Sequence, residues 1–148
     1  YEGGIRVPLI MSWPGKIQSN TQTDFMCSFW DMMPTFREII SPKSKSGNQE
    51  DGVSLVPLIT GKKGQKEHEY LYFEFQEMNG RQAVRKGDWK LVHMNIRGKH
   101  PYYELYNLAS DPSERHNVIE EYPEVTQELK RIMQDAHVES PDFPLLEP

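Results

Sequence analysis

The chain has 148 residues, 36% hydrophobic and 26% charged, with a formal net charge of −5. That length suits one ordinary domain, or a small domain joined to a piece of another, and the composition is not that of a disordered chain. Lys and Arg are scattered among the acids, which argues against nucleic acid or an anionic membrane as the partner, and no apolar run is long enough to cross a bilayer.

Cys27 is the single cysteine, so it has no internal disulfide partner, no companion thiols for zinc, and does not fix the redox compartment. No signal peptide is legible, and the start at Tyr1, in mid-pattern, predicts a fragment or a processed product. Residues 1–15 read as a Gly3-Gly4 turn, a strand over residues 7–12, and a Trp13-Pro14-Gly15 turn. Val7, Leu9, Ile10 and Met11 are apolar in near-continuous order, the pattern of a strand covered on both faces. Alone, such a strand is expected to seek another chain or stay disordered. Asp31 is placed to cap a helix over residues 31–40, with Pro34 in its first turn, and this structural role is preferred to a catalytic one. Met32, Met33, Phe36, Ile39 and Ile40 then form its packing face. Residues 41–50 read as an exposed loop, and Leu55, Val56, Leu58 and Ile59 as a short helical turn. The charged residues 62–69 read as a linker.

Residues 70–108 form the centre of the chain. Residues 70–75, 81–86, 89–94 and 103–108 carry the Tyr, Phe, Trp, Val and Leu that fit a pleated, half-buried surface. Lys86-Gly87-Asp88 is expected to be a three-residue hairpin loop with Gly at a positive φ. Alternation puts Trp89, Leu91 and His93 on one face, and Lys90 and Val92 on the other. The predicted cover is a helix over residues 123–137, whose Val125, Leu129, Ile132, Met133 and Ala136 make one apolar stripe. Between the first two strands, a bend concentrates Glu74, Gln76, Glu77, Asn79 and Arg81. Planar carboxylates, amides and guanidinium groups of this kind hold polyhydroxylated sugars, and they equally suit a solvated hairpin loop. Residues 95–102, with Arg97, Lys99 and His100, read as an exposed basic connection rather than an anion site. His68, His93, His100, His116 and His137 show no metal-ligand spacing. Asp111-Pro112 is a turn, Ser140-Pro141 ends the last helix, and the proline-rich tail 142–148 is expected to be loosely held.

Several motifs follow one another in a fixed order. They are Tyr1-Glu2-Gly3-Gly4-Ile5-Arg6-Val7-Pro8 with Trp13-Pro14-Gly15, then Asp31-Met32-Met33-Pro34-Thr35, then Asp51-Gly52-Val53-Ser54-Leu55 with Pro57-Leu58 and Gly61. Ala83-Val84-Arg85 through Trp89-Lys90-Leu91 comes next, then Glu104-Leu105-Tyr106-Asn107-Leu108 with Asp111-Pro112 and Glu114 to Asn117. Taken together these resemble the formylglycine-dependent sulfatases of the alkaline-phosphatase-like superfamily, across nearly the whole chain.

The resemblance implies an α+β fold. Residues 1–61 would close an α/β catalytic domain, 62–69 would link, and 70–148 would form a C-terminal subdomain of about four antiparallel strands covered by a helix. The parent would hydrolyse sulfate esters, of sulfated glycans or aryl sulfates, with a formylglycine made from Cys or Ser and a calcium ion held by Asp and Asn oxygens. Cys27-Ser28-Phe29-Trp30-Asp31 lacks the Arg of a formylglycine motif. No catalytic or metal residue is therefore assigned in this chain, and alone it is expected to be inactive. In the resemblance the bend carrying Glu74, Gln76, Glu77, Asn79 and Arg81 approaches the substrate cleft and positions substrate. The implied partners are the upstream catalytic domain of the same parent and a sulfated carbohydrate or aryl sulfate. Self-association through residues 7–12 is a further expectation for the isolated chain. The family implies a periplasmic, extracellular or lysosomal location. Two other readings stay open: a related metal-dependent phosphoryl or phosphonate hydrolase, and a stand-alone carbohydrate-binding or interaction module.

Overall fold

The computed structural model describes residues 1–41 and 51–145. Residues 42–50 of the expected loop at 41–50 and the last three residues of the tail lie outside them. The elements are α1 (Glu2–Ile5), a 3-10 helix (Phe29–Asp31), α2 (Met32–Ile40), α3 (Val56–Ile59), β1 (Leu71–Phe75), β2 (Arg81–Lys86), β3 (Trp89–Met94), β4 (Tyr102–Asn107) and α4 (Pro123–Ala136). The chain divides into two compact units, Tyr1–Val7 with Glu69–Pro148, and Pro8–His68.

The first unit is built on an antiparallel sheet in the order β1-β2-β3-β4. Residues two apart share a face of a strand, so Val84, Leu91 and Leu105 line one side in register. Leu129 and Met133 of α4 close over them, and all five are shut from solvent. Each such side chain contributes about 2 kcal/mol of burial. Val125 and Ile132 pack at the margin, as the apolar stripe of α4 predicts. Pro123 starts this helix, where its missing N–H costs nothing. The hairpin between β2 and β3 is tighter than expected: Lys86 pairs with Trp89, which leaves Gly87-Asp88 as a two-residue loop. Gly87 takes φ +56°, the positive angle such a turn demands of its first residue. β4 begins one residue early, because Tyr102 pairs with Met94.

The sheet's other face is also covered. Val92, Met94, Tyr106 and Leu108 are buried there. Lys90 lies among them, with its Nζ 2.9 Å from Glu2 Oε1 and 2.8 Å from Glu114 Oε1. Arg85 adds a second cation 3.6 Å from Glu2 Oε2. The Glu114 carboxylate also accepts the backbone N–H of Glu2. Two acids thus neutralise two cations, which is what makes a buried charge tolerable. The network ties α1 onto the sheet.

The expected strand at residues 7–12 has no ladder among the described residues. A strand needs a neighbour to bond its N–H and C=O groups, and none is offered. Val7, Leu9 and Ile10 are 73%, 53% and 90% exposed.

In the second unit, Asp31 is fully buried. Its carboxylate does not cap the first turn of α2, as expected, but accepts Ser28 N–H at 2.7 Å and Val53 N–H at 2.8 Å, and lies 2.8 Å from His68 Nε2. Thr35 repeats the pattern: its hydroxyl donates to the Asp31 carbonyl and accepts Leu55 N–H. Gly52 is required because a Cβ there would stand 2.3 Å from the Trp30 carbonyl oxygen. The Asp-x-x-Pro-Thr and Asp-Gly-x-Ser-Leu motifs are thereby explained as one hydrogen-bonded knot. The expected packing face of α2 is not sealed: Met33, Phe36 and Ile40 are exposed, while Pro34 and Thr35 are buried. Its inward side is spent on the knot, and nothing among the described residues covers the rest.

Candidate substrate-facing end of the sheet

Antiparallel pairing brings two connections to the same end of the sheet, the bend at 76–80 and the loop at 95–101. They are laced together. Ile96 N–H donates to the Gly80 carbonyl at 3.2 Å, and Arg97 N–H to the Asn79 carbonyl at 2.8 Å. Asn79 Nδ2 donates to Asn95 Oδ1 at 2.8 Å, and Asn95 Nδ2 to the His100 carbonyl at 3.1 Å. The Arg97 guanidinium donates to the Gln76 carbonyl. Met78, Asn79 and Gly80 all take positive φ, 55°, 66° and 76°. Gly accepts that conformation freely and Asn tolerates it, but at Met78 it costs about 1–2 kcal/mol. The lacing holds the bend in that shape.

The five residues singled out from sequence are therefore close in the chain but not on one surface. Glu74 points to the α4 side of the sheet, where it accepts the Tyr72 hydroxyl and meets His137 Nδ1. Gln76, Glu77 and Asn79 are in the bend, with Asn79 and the backbone of Gln76 engaged in the lacing. Arg81 projects from the opposite face, its Nη2 on the Met78 thioether.

The Glu74 side continues into a polar row that sequence reading missed. Glu74, Gln82, His93 and Tyr103 lie in register across all four strands. Gln82 Nε2 donates to the Tyr72 hydroxyl at 2.7 Å, and Gln82 Oε1 faces His93 Nδ1 at 3.3 Å. The His93 ring stacks on Tyr103 with centroids 3.9 Å apart, and Lys130 Nζ sits 4.1 Å from the Tyr103 ring centre. Alternation within each strand carried half of this signal; the other half is the cross-strand register.

The environment shifts several of these groups. The hydrogen bond that His137 donates to Glu74 raises it above its ordinary value, with Glu139 adding to it. Burial lowers His93, and Lys130 lowers it further. Burial and the bond to Glu74 raise Tyr72. Burial also pushes the Cys27 thiol up, with the Asp31 charge in the same direction, which is the opposite of an activated nucleophile. Among the described residues, no three His, Cys, Asp or Glu side chains converge as metal donors, and the oxygens of Asp31 are committed to Ser28, Val53 and His68. The described residues therefore do not fit a calcium centre. The sheet end carries planar polar groups and cations on a laced scaffold.

A family model described as N-sulphoglucosamine sulphohydrolase, C-terminal, matches residues 1–139. The chain is 27% identical over 149 aligned positions to an N-acetylgalactosamine-6-O-sulfatase of Bacteroides thetaiotaomicron, which covers 92% of this chain and 28% of the relative. It is 29% identical to human arylsulfatase D, over 96% of this chain and 25% of the relative. A solved Bacteroides thetaiotaomicron structure, from work on the metabolism of multiple glycosaminoglycans, superposes with a TM-score of 0.69 at 28% identity, over 91% of this chain and 30% of that one. The chain thus spans between a quarter and a third of the length of these relatives. The sheet, its helical cover and the anchored Tyr1–Val7 segment all fall within the matched residues, and the chain belongs to the N-sulphoglucosamine sulphohydrolase C-terminal family, the C-terminal portion of the sulfatases.

Proposed function

We propose that the parent of this chain is a sulfuric ester hydrolase acting on sulfated glycans, and that this chain supplies its C-terminal subdomain and one wall of the substrate cleft. The observation that carries the reading is the laced end of the sheet, where Gln76, Glu77 and Asn79 are presented on a bend held by Asn95 and Arg97. These residues position substrate and take no part in breaking the bond. Glu74 acts one step back, bonded to Tyr72 and His137.

In this reading, calcium and formylglycine belong to other residues of the parent, where they would polarise the sulfate and attack sulfur. The parent works in a periplasmic, extracellular or lysosomal compartment, and the catalytic domain of the same chain is the partner of this one. The test is hydrolysis by the purified full-length parent, with sulfated monosaccharides, aryl sulfates and phosphate monoesters offered in parallel. Turnover of the sulfate esters, with sulfated sugars preferred over aryl sulfates, is the expected result. Cleavage of phosphate esters with sulfate esters untouched would overturn it.

A further inference from the structure

The polar row leaves the opposite face of the same sheet end unused. Phe75, Arg81, Met94 and Tyr102 are in register across β1, β2, β3 and β4, on the side away from α4. At the spacing of adjacent strands, the row runs about 14 Å. Phe75 and Tyr102 stand at its ends, 51% and 47% exposed, with Met94 buried between them. Arg81 has one acceptor among the described residues, the thioether of exposed Met78 at 2.9 Å, and its Nε is shut from solvent without any. A guanidinium carries five donors, and a thioether is a weak acceptor. The Arg81 charge is therefore uncompensated.

The surrounding charge points the same way. Residues 76–81 and 95–102 hold Arg81, Arg97 and Lys99 against Glu77 alone, in a chain whose net charge is −5. Arg97 spends a donor on the neutral Gln76 carbonyl, which leaves its charge in place. The next acid along this face, Glu104, lies two residues along β4 from Tyr102 and accepts the Tyr1 hydroxyl at 2.6 Å. Two exposed rings thus flank a cation, beside a loop of the same sign.

We propose that this row is a docking platform for an anionic saccharide, with sugar rings against Phe75 and Tyr102 and a sulfate group on Arg81. The proposal rests on the reading of the parent as a glycan sulfatase and adds where a second sugar of the substrate binds. Aromatic faces take the C–H side of a sugar ring, and the planar guanidinium takes two oxygens of an oxyanion at once. A protein partner would call for a broader apolar core than two separated rings rimmed by cations.

The test compares a sulfated disaccharide with the matching sulfated monosaccharide as substrates of the full-length parent. For Tyr102→Ala, Phe75→Ala and Arg81→Gln, KM for the disaccharide is expected to rise about ten-fold, the size of one lost contact of this kind, with kcat held within about two-fold. Tyr102→Phe keeps the ring and is expected to keep the disaccharide KM, and Arg81→Lys to recover part of it. Unmoved KM values in all three variants, or equal losses on both substrates, would overturn the platform. Should Tyr102→Ala fail to fold, Arg81→Gln decides, because it exchanges one partly buried polar side chain for a smaller one. Hydrogen-exchange protection of β1 and β4 at this face by the parent's own catalytic domain, before any saccharide is added, would overturn it equally. A parent that cleaves no sulfated sugar defeats the functional reading itself; one that cleaves them with these KM values unmoved defeats only the platform.

Discussion

The two units of this chain are held by different forces. The sheet unit has a core of its own, with Val84, Leu91, Leu105, Leu129 and Met133 shut from solvent under α4. In the Pro8–His68 unit, the fully buried side chains include Asp31 and Thr35, while Ile10, Phe29 and Ile40 are 90%, 88% and 80% exposed. Hydrogen bonds give that unit a specific local shape, yet each contributes only about 1 kcal/mol net. The contrast teaches that motif content and self-sufficiency are separate properties: both units carry family motifs, yet among the described residues the two buried apolar clusters lie in the sheet unit.

The largest predicted effect tests the charge network that anchors α1. Lys90→Met removes the cation that Glu2 and Glu114 share and leaves two carboxylates buried, with Arg85 3.6 Å from one of them. A loss of about 3–5 kcal/mol in denaturant unfolding of the sheet unit is expected; a change below about 1 kcal/mol would show that water already reaches the site.

Next comes a direct contrast between the units. Leu105→Ala opens a cavity beneath α4 at a side chain with no solvent exposure and should cost about 2–5 kcal/mol. Ile40→Ser, at an exposed position of α2, should stay within about 0.5 kcal/mol in the same 148-residue chain. Comparable losses, read from thermal unfolding of both variants, would mean that the face of α2 is covered in solution.

The smallest effect is pH-dependent. The folded state raises His137 through Glu74 and Glu139, so protonation of its ring favours folding. That contribution is fully present below the ordinary histidine value of about 6.5 and fades as pH rises through the higher folded value. His93 is lowered by burial and by Lys130, so its charging opposes folding as pH falls below the same ordinary value. His137→Gln should therefore lose more melting temperature at pH 6 than at pH 8, and His93→Gln should show the reverse sign. A pH-independent difference for His137→Gln would remove the ion pair from the account.

Much of the fold was legible in the chain. β-branched and aromatic runs gave the four strands, Gly87 gave the tight turn, and the stripe from Val125 to Met133 gave α4 and the face it covers. The candidate site was half legible. The bend was found by composition, but Glu74 and Arg81 turned out to leave opposite faces of the sheet. Tyr72, Gln82, His93, Tyr103 and His137 were passed over because no motif joins them.

What the sequence decided by itself is local: which segments pair as strands, where they turn, and which side of each is apolar, because these follow from steric preferences and from side-chain periods of two and 3.6. Tertiary structure decided the alignments. A two-residue turn where three were expected shifts the pairing by one place, and only the realised register puts Glu74, Gln82, His93 and Tyr103 in a line. It also brought Glu2 to Lys90 across 88 positions of chain, where burial made an ion pair necessary that no local pattern announces.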